Sequence, residues 1–325
     1  MDPSTYTPAQ PYSTKHSLEP PNRAIPPPDL QYHRGEASFA VEGLAPFEYG
    51  SSDYGNPAFL KSIVACGDLH LSHSMLSWKY RMRRRAQFIL PFLLLGPSSA
   101  ARDATFIRDA GITLLLAVRS ASAVRARPDF LDLSAFASVI GIKHLTVDLD
   151  SPYEMRVNLR PTIKALNDHL EQSCTTKALS NLGDIKGRIL VFCESGNERS
   201  ATLVAAYLMT VFGIDMVTAI QIIQSQRFCI SPDNAMKDML SDLGTYLQAE
   251  RQVAVERSST ADLFNQPSMR NGYNSNGITL NKSSKRGIDR AYELDDEMND
   301  ENWAADNDSE NGERGGVAPF ADVVK

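Results

Sequence analysis

Between residues 78 and 251 the chain alternates short apolar runs with longer segments of helical periodicity. PFLLLG (91–96), ITLLLAV (112–118), HLTVDLD (144–150) and ILVF (189–192) have the length and composition of buried strands. As a set the core strands lack polar alternation, as expected when both faces of a sheet are covered. SSAARDATFIRDAG (98–111) predicts a helix closed by Gly111. NLRPTIKALNDHL (158–170) places Leu159, Ile163, Leu166 and Leu170 on one helical face, with Pro161 in the first turn, where a missing N–H is tolerated. SATLVAAYLMTVFG (200–213) predicts an almost wholly apolar helix ended by Gly213. MVTAIQIIQSQ (216–226) and PDNAMKDMLSDLGTYLQAE (232–250) predict two more, the last with Ser231 as N-cap and Pro232 at its first position. Strands that alternate with helices predict an α/β domain with a central, mostly parallel sheet flanked by helices.

The flanks have a different texture. Residues 1–65 carry eight prolines in the first thirty positions and then EYGSSDYGNP, which predicts a disordered Pro/Ser/Tyr-rich tail. Residues 252–325 predict a second disordered tail. Its block from Ala291 to Glu313 has ten Asp or Glu and no Lys or Arg, so it repels itself and stays solvated. A solubilising tail is one reading of that block, and a partner-binding acidic segment is the other.

With 325 residues, 42% hydrophobic and 22% charged, the chain suits one sizeable soluble domain plus extra material. The formal net charge of -6 gives no whole-chain signal for nucleic acid. No apolar run reaches the length of a membrane span, and the polar start is no secretory signal. Cys66, Cys174, Cys193 and Cys229 are scattered with no CxxC pair, which favours a reducing intracellular setting in cytoplasm, nucleus or both. His70 and His73 could share a helix face, but no Cys or carboxylate joins them at metal spacing, so no metal is expected. RMRRR (81–85) reads as domain-edge salt bridges or as a nuclear-import patch.

The candidate chemistry lies in VFCESGNERSA (191–201). Cys193 stands six positions before Arg199, on a loop between a buried strand and an apolar helix. Gly196 gives the turn its freedom. Loop N–H groups from Glu194, Ser195, Gly196, Asn197 and Glu198, with the helix N-terminus, make an anion site. The same field favours a thiolate nucleophile at Cys193. Arg199 can grip two phosphate oxygens with its planar fork, and Ser200 can hydrogen-bond the sulfur and help it leave. Attack of sulfur on phosphorus needs an acid for the leaving oxygen. Asp150, at the end of a strand and before Pro152, is preferred, with Asp148 as the alternative. Both can also be simple turn-capping residues.

VFCESGNERSATLVAAYLM resembles the signature of the cysteine-dependent dual-specificity protein phosphatases. WKYRMRRRAQFILPFLLLGPSSAA, AGITLLLAVR, VDLDSP and QRFCISP extend the resemblance over about residues 78–251 and into neither tail. It implies a compact α/β phosphatase fold and no cofactor. Phosphotyrosine, phosphoserine or phosphothreonine would be hydrolysed through a phosphocysteine at Cys193. Arg199 and the loop N–H groups would hold phosphate, Ser200 would help the thiolate, and Asp150 would be the acid. The implied partner is a phosphorylated protein, a signalling kinase among the candidates.

One similar subgroup carries Gly at the nucleophile position and binds phosphoproteins without turnover, and this chain departs from it by keeping Cys193. It departs from active members at Phe192, where they have His, and at Asp233, where many have Asn. Glu194 and Glu198 add like charge near a phosphate, on the order of 1–3 kcal/mol at ~8 Å before salt screening. A phosphatase is the expectation, and phosphoprotein binding without turnover is the alternative.

Overall fold

The computed structural model describes residues 24–33, 36–41, 44, 52–66, 69–72, 78–149, 151–174 and 179–265. Five strands form the central sheet: β4 (Gln87–Leu90), β5 (Leu93–Pro97), β6 (Leu114–Arg119), β7 (Lys143–Asp148) and β8 (Ile189–Cys193). Their order is β4-β5-β8-β6-β7, with β4 antiparallel to β5 and every other pair parallel. The period of two along each strand sorts side chains into two apolar layers. Leu93, Leu95, Leu114, Leu116, Ile189, Val191 and Cys193 face the larger layer. Leu94, Leu115, Ala117, Leu190 and Phe192 face the smaller one. The larger layer is closed by α1 (Pro57–Ala65), α5 (Pro152–Gln172), α6 (Arg199–Phe212), α7 (Met216–Gln226) and α8 (Asn234–Asn265). The smaller is closed by α2 (Ala104–Asp109) and α4 (Ser134–Ile140). One further helix, α3, spans Ala121–Ala126. The mostly parallel sheet flanked by helices is the expected architecture.

Several boundaries move for identifiable reasons. The predicted helix over 98–111 is broken at Asp103, whose carboxylate accepts from the N–H groups of Thr105 and Phe106 and starts α2. Helix α5 begins near Ser151, not at residue 158. Ser151 and Glu154 form a reciprocal capping box, each side chain 3.2 Å from the other's N–H. Pro161 therefore sits inside the helix. Helix α8 starts after Asp233, whose side chain accepts from Met236 N–H at 2.8 Å, so Ser231 is not its cap. It runs to Asn265 and corrects the boundary expected near residue 251. The acidic block lies outside the described residues.

The expectation that residues 1–65 form no core is overturned for the described residues from 24 onward. Strands β1 (Gln31–His33), β2 (Glu36–Val41) and β3 (Leu69–Ser72) make a three-stranded antiparallel sheet. Phe39, Phe59, Leu60, Ile63 and Val64 enter the larger apolar layer. The Gln221 amide donates to the carbonyls of Pro26 and Pro27. Asn167 donates to the Tyr54 carbonyl at 2.7 Å and accepts from the buried Tyr207 hydroxyl at 2.9 Å. Arg160 joins Asp53, Tyr246 and Glu250, and the Tyr54 hydroxyl donates to Glu250. Prolines dilute this segment's apolar residues, so its burial depends on a surface that only the folded helices provide. Residues 1–23 lie outside the described residues.

Candidate active site

Parallel strands deliver their carboxyl ends to one edge of the sheet, where sites in such folds form. There β8 ends at the buried Cys193, flanked on one side by β5 in the register Pro97↔Cys193. The loop turns back at Gly196, which has φ +75. A Cβ on Gly196 would lie 2.4 Å from the carbonyl carbon of Gly96, and one on Gly96 would lie 2.6 Å from Ala86 Cβ. Glycine at 196 is thus required by conformation and by space.

Two donors converge on the sulfur. The Gly196 N–H lies 3.2 Å from Cys193 Sγ and the Ser200 hydroxyl 3.1 Å. Ser200 itself is buried at the start of α6. Ser195 and Asn197 are tied locally, the Asn197 N–H to Ser195 Oγ at 3.2 Å. Glu194 and Glu198 are exposed. The Glu198 carbonyl accepts from the Thr202 N–H and hydroxyl. Arg199 lines a small cavity of about 60 Å³ with Leu149, Ser151, Asp233, Met236 and Met239.

Asp148 is engaged elsewhere. Its carboxylate accepts from Arg119 Nε at 2.8 Å and Nη2 at 3.3 Å, across the β6–β7 register. Asp150 lies outside the described residues. Phe192 is fully buried and faces the smaller layer, on the side of the sheet opposite Cys193. Its immediate surroundings are the apolar side chains of that layer. Among the described residues no group of His, Cys, Asp and Glu is arranged to hold a metal.

One residue that contacts the loop was not expected from the sequence. Arg227, at the C-terminus of α7, is 0% exposed. Its guanidinium donates to the carbonyls of Gly196 (2.9 Å), Ser195 (3.1 Å), Arg85 (2.8 Å) and Arg83 (2.9 Å). It also donates to Asn197 Oδ1 at 3.0 Å and to Gln87. The loop carbonyls are thereby held from behind, which suits inward-facing N–H groups. The Asn197 carbonyl is held too, by the Ser231 N–H at 3.0 Å. These contacts tie the loop to the turn after α7 and to the segment before β4. Burial pushes the Arg227 guanidinium below its ordinary value, and negative charge on the neighbouring Cys229 or Cys193 sulfur opposes that shift. All its hydrogen-bond acceptors are neutral, so the positive charge beneath the loop favours an anion within it. The available signal was a lone Arg ending an apolar helix, which does not specify its direction.

A thiol receiving two hydrogen bonds, a glycine turn and an Arg-led helix at a parallel sheet edge make a site of the cysteine-dependent phosphatase class. Residues 99–245 match the family of the dual specificity phosphatase catalytic domain, and the chain belongs to the dual-specificity phosphatase family. It is 30% identical over 202 residues to the serine/threonine/tyrosine-interacting protein of Homo sapiens, covering 57% of this chain and 82% of the relative. It is 32% identical over 158 residues to dual specificity protein phosphatase 26 of Bos taurus, covering 48% and 66%. Among solved structures it is similar to the human tyrosine phosphatase-like serine/threonine/tyrosine-interacting protein, with 28% identity, coverage of 50% and 97%, and a TM-score of 0.38.

Proposed function

We propose that this chain is a protein phosphatase that hydrolyses phosphotyrosine, phosphoserine or phosphothreonine in a phosphoprotein. The observation that carries the reading is the pair of donors on Cys193 Sγ, at 3.2 and 3.1 Å. The sulfur attacks phosphorus, the bond from phosphorus to the side-chain oxygen breaks, and Asp150 gives that oxygen its proton. Water then attacks the phosphocysteine and passes a proton to Asp150. The S–P bond breaks, with the Ser200 hydroxyl hydrogen-bonded to the departing thiolate, and inorganic phosphate leaves. Arg199 grips two phosphate oxygens. Glu194 and Glu198 are exposed, where salt screens their repulsion of a bound phosphate. Arg199 is the one basic residue from 194 to 199, which favours phosphoprotein over polyanionic lipid headgroups or RNA. The scattered free cysteines support a cytoplasmic or nuclear setting.

Phosphoprotein binding without turnover is the second reading, supported by the similarity to relatives named for interaction. Turnover of a small aryl phosphate by the full chain, against Cys193→Ser, separates the two. An enzyme loses all turnover in Cys193→Ser. In Asp150→Ala, turnover falls by about 10²-fold or more while phosphopeptide binding persists. A wild type that binds phosphopeptide and never turns over leaves the binding reading standing.

A further inference from the structure

The short 3-10 helix Tyr80–Arg84 and the turn after α7 build a second face. Lys79, Arg81, Arg83, Arg84 and Arg85 fall within seven residues that contain no acid, and all five side chains are exposed. Among the described residues, none of these cations forms an ion pair. Aromatic rings share the face: Tyr80 is 73% exposed, Phe228 48% and Phe88 43%. Arg83 lies 4.1 Å over the Tyr80 ring and Arg188 5.5 Å over Phe88.

The face is concave twice over. One cavity of about 550 Å³ is lined by Lys79, Arg81, Arg85 and Phe88. Another of about 380 Å³ is lined by Trp78, Tyr80, Phe228 and Ile230. Exposed aromatics beside arginines that form no ion pair among the described residues are the composition of an interface centre, not of a solvated surface. Concave pockets suit the side chains of one extended chain, whereas a lipid surface needs protruding apolar groups. A chain of net charge -6 repels a long polyanion outside this patch. The backbone of the face is also joined to the phosphate loop. Arg227 holds the carbonyls of Arg83 and Arg85 together with those of Ser195 and Gly196.

We propose that this face is a docking groove for an acidic segment of the phosphoprotein, with aromatic or aliphatic anchors set between its carboxylates. The basic rim attracts the segment and the aromatic cavities hold its anchors. Engagement there raises the effective concentration of the phosphorylated residue at Cys193. The proposal names a second contact for the phosphoprotein and so rests on that reading of the loop. The probe is therefore unphosphorylated, so that the two can fail separately.

Fluorescence anisotropy of the full chain with a labelled peptide of alternating Glu and Phe tests it. Binding that weakens with added salt is expected. Lys79→Glu with Arg81→Glu, and separately Tyr80→Ala, should each weaken it by about tenfold or more. Calorimetric binding of orthovanadate at the loop should stay unchanged in these variants, which shows that they fold. If the peptide binds the variants as it binds wild type, the groove is not its site and the proposal is overturned. It is also overturned if oligothymidylate, or vesicles of phosphatidylserine and phosphatidylcholine in equal parts, bind more tightly than the peptide and lose that binding in the same variants. Loss of orthovanadate binding in wild type, with peptide docking intact, would sink the phosphate-loop reading alone.

Discussion

Replacing Arg227 tests whether the phosphate loop is shaped from behind. Its guanidinium serves the carbonyls of Ser195, Gly196, Arg83 and Arg85 and the side chains of Asn197 and Gln87. Arg227→Met keeps much of the volume and removes every donor. Each buried acceptor left without a partner costs ~1–3 kcal/mol. Removing a buried charge returns part of that, since desolvating the guanidinium was itself costly, and the net loss is about 3–5 kcal/mol. Arg227→Lys is the more telling variant. It keeps a positive charge under the loop, but its three N–H groups radiate from one point and cannot reach oxygens on both segments. The expectation is a smaller stability loss with a loosened cradle, so orthovanadate affinity should fall by about tenfold or more, worth ~1.4 kcal/mol. Thermal melting and calorimetric titration read the two effects separately. If Arg227→Lys binds orthovanadate within about twofold of wild type and Arg227→Met melts at the wild-type temperature, the loop holds its own shape and the reasoning fails.

Leu60→Ala, in the segment expected from sequence to be a disordered tail, should cost about 2–5 kcal/mol because Leu60 is fully buried. That lowers the melting temperature by roughly 5–15 °C, and an unchanged melt would show that the segment does not dock. Phe192→His should destabilise the fold by about 1–3 kcal/mol and not improve turnover of an aryl phosphate. The new ring would face the apolar smaller layer, away from the Cys193 sulfur. A faster, equally stable Phe192→His would overturn this placement. His169 is buried against the Thr113 hydroxyl at 2.8 Å, and burial, followed by the Lys143 charge, pushes it below its ordinary value. Its neutral form is favoured in the fold. This contribution is fully present above the unfolded value of ~6.5 and is lost as pH falls below it towards the folded value. Melting temperature should drop between about pH 7 and pH 5, and His169→Gln should flatten that drop, while an identical pH profile would refute it.

Local rules were enough for the elements that carry their own signal. The α/β alternation, the strands around Leu93, Leu114 and Ile189, and α6 and α7 follow from apolar runs bounded by caps and glycines. The order Cys193, Gly196, Arg199, Ser200 implied an anion-holding loop because chemistry and turn geometry sit within a few consecutive residues. The reciprocal cap of Ser151 and Glu154 and the cap at Asp103 were written in the sequence too, but a proline and a longer apolar pattern drew the boundaries elsewhere. Other features depended on residues far apart in the chain. Phe59, Leu60 and Ile63 become core only because α6 and the rest of the larger layer present an apolar surface to them. Phe192 and Cys193 are neighbours in sequence and face opposite layers, and only the sheet decides which side receives which. Arg227 supports the loop across 30 residues of chain to Asn197 and 142 to Arg85. A guanidinium finds such acceptors by the packing of α7 under the sheet edge, and no local pattern specifies that contact.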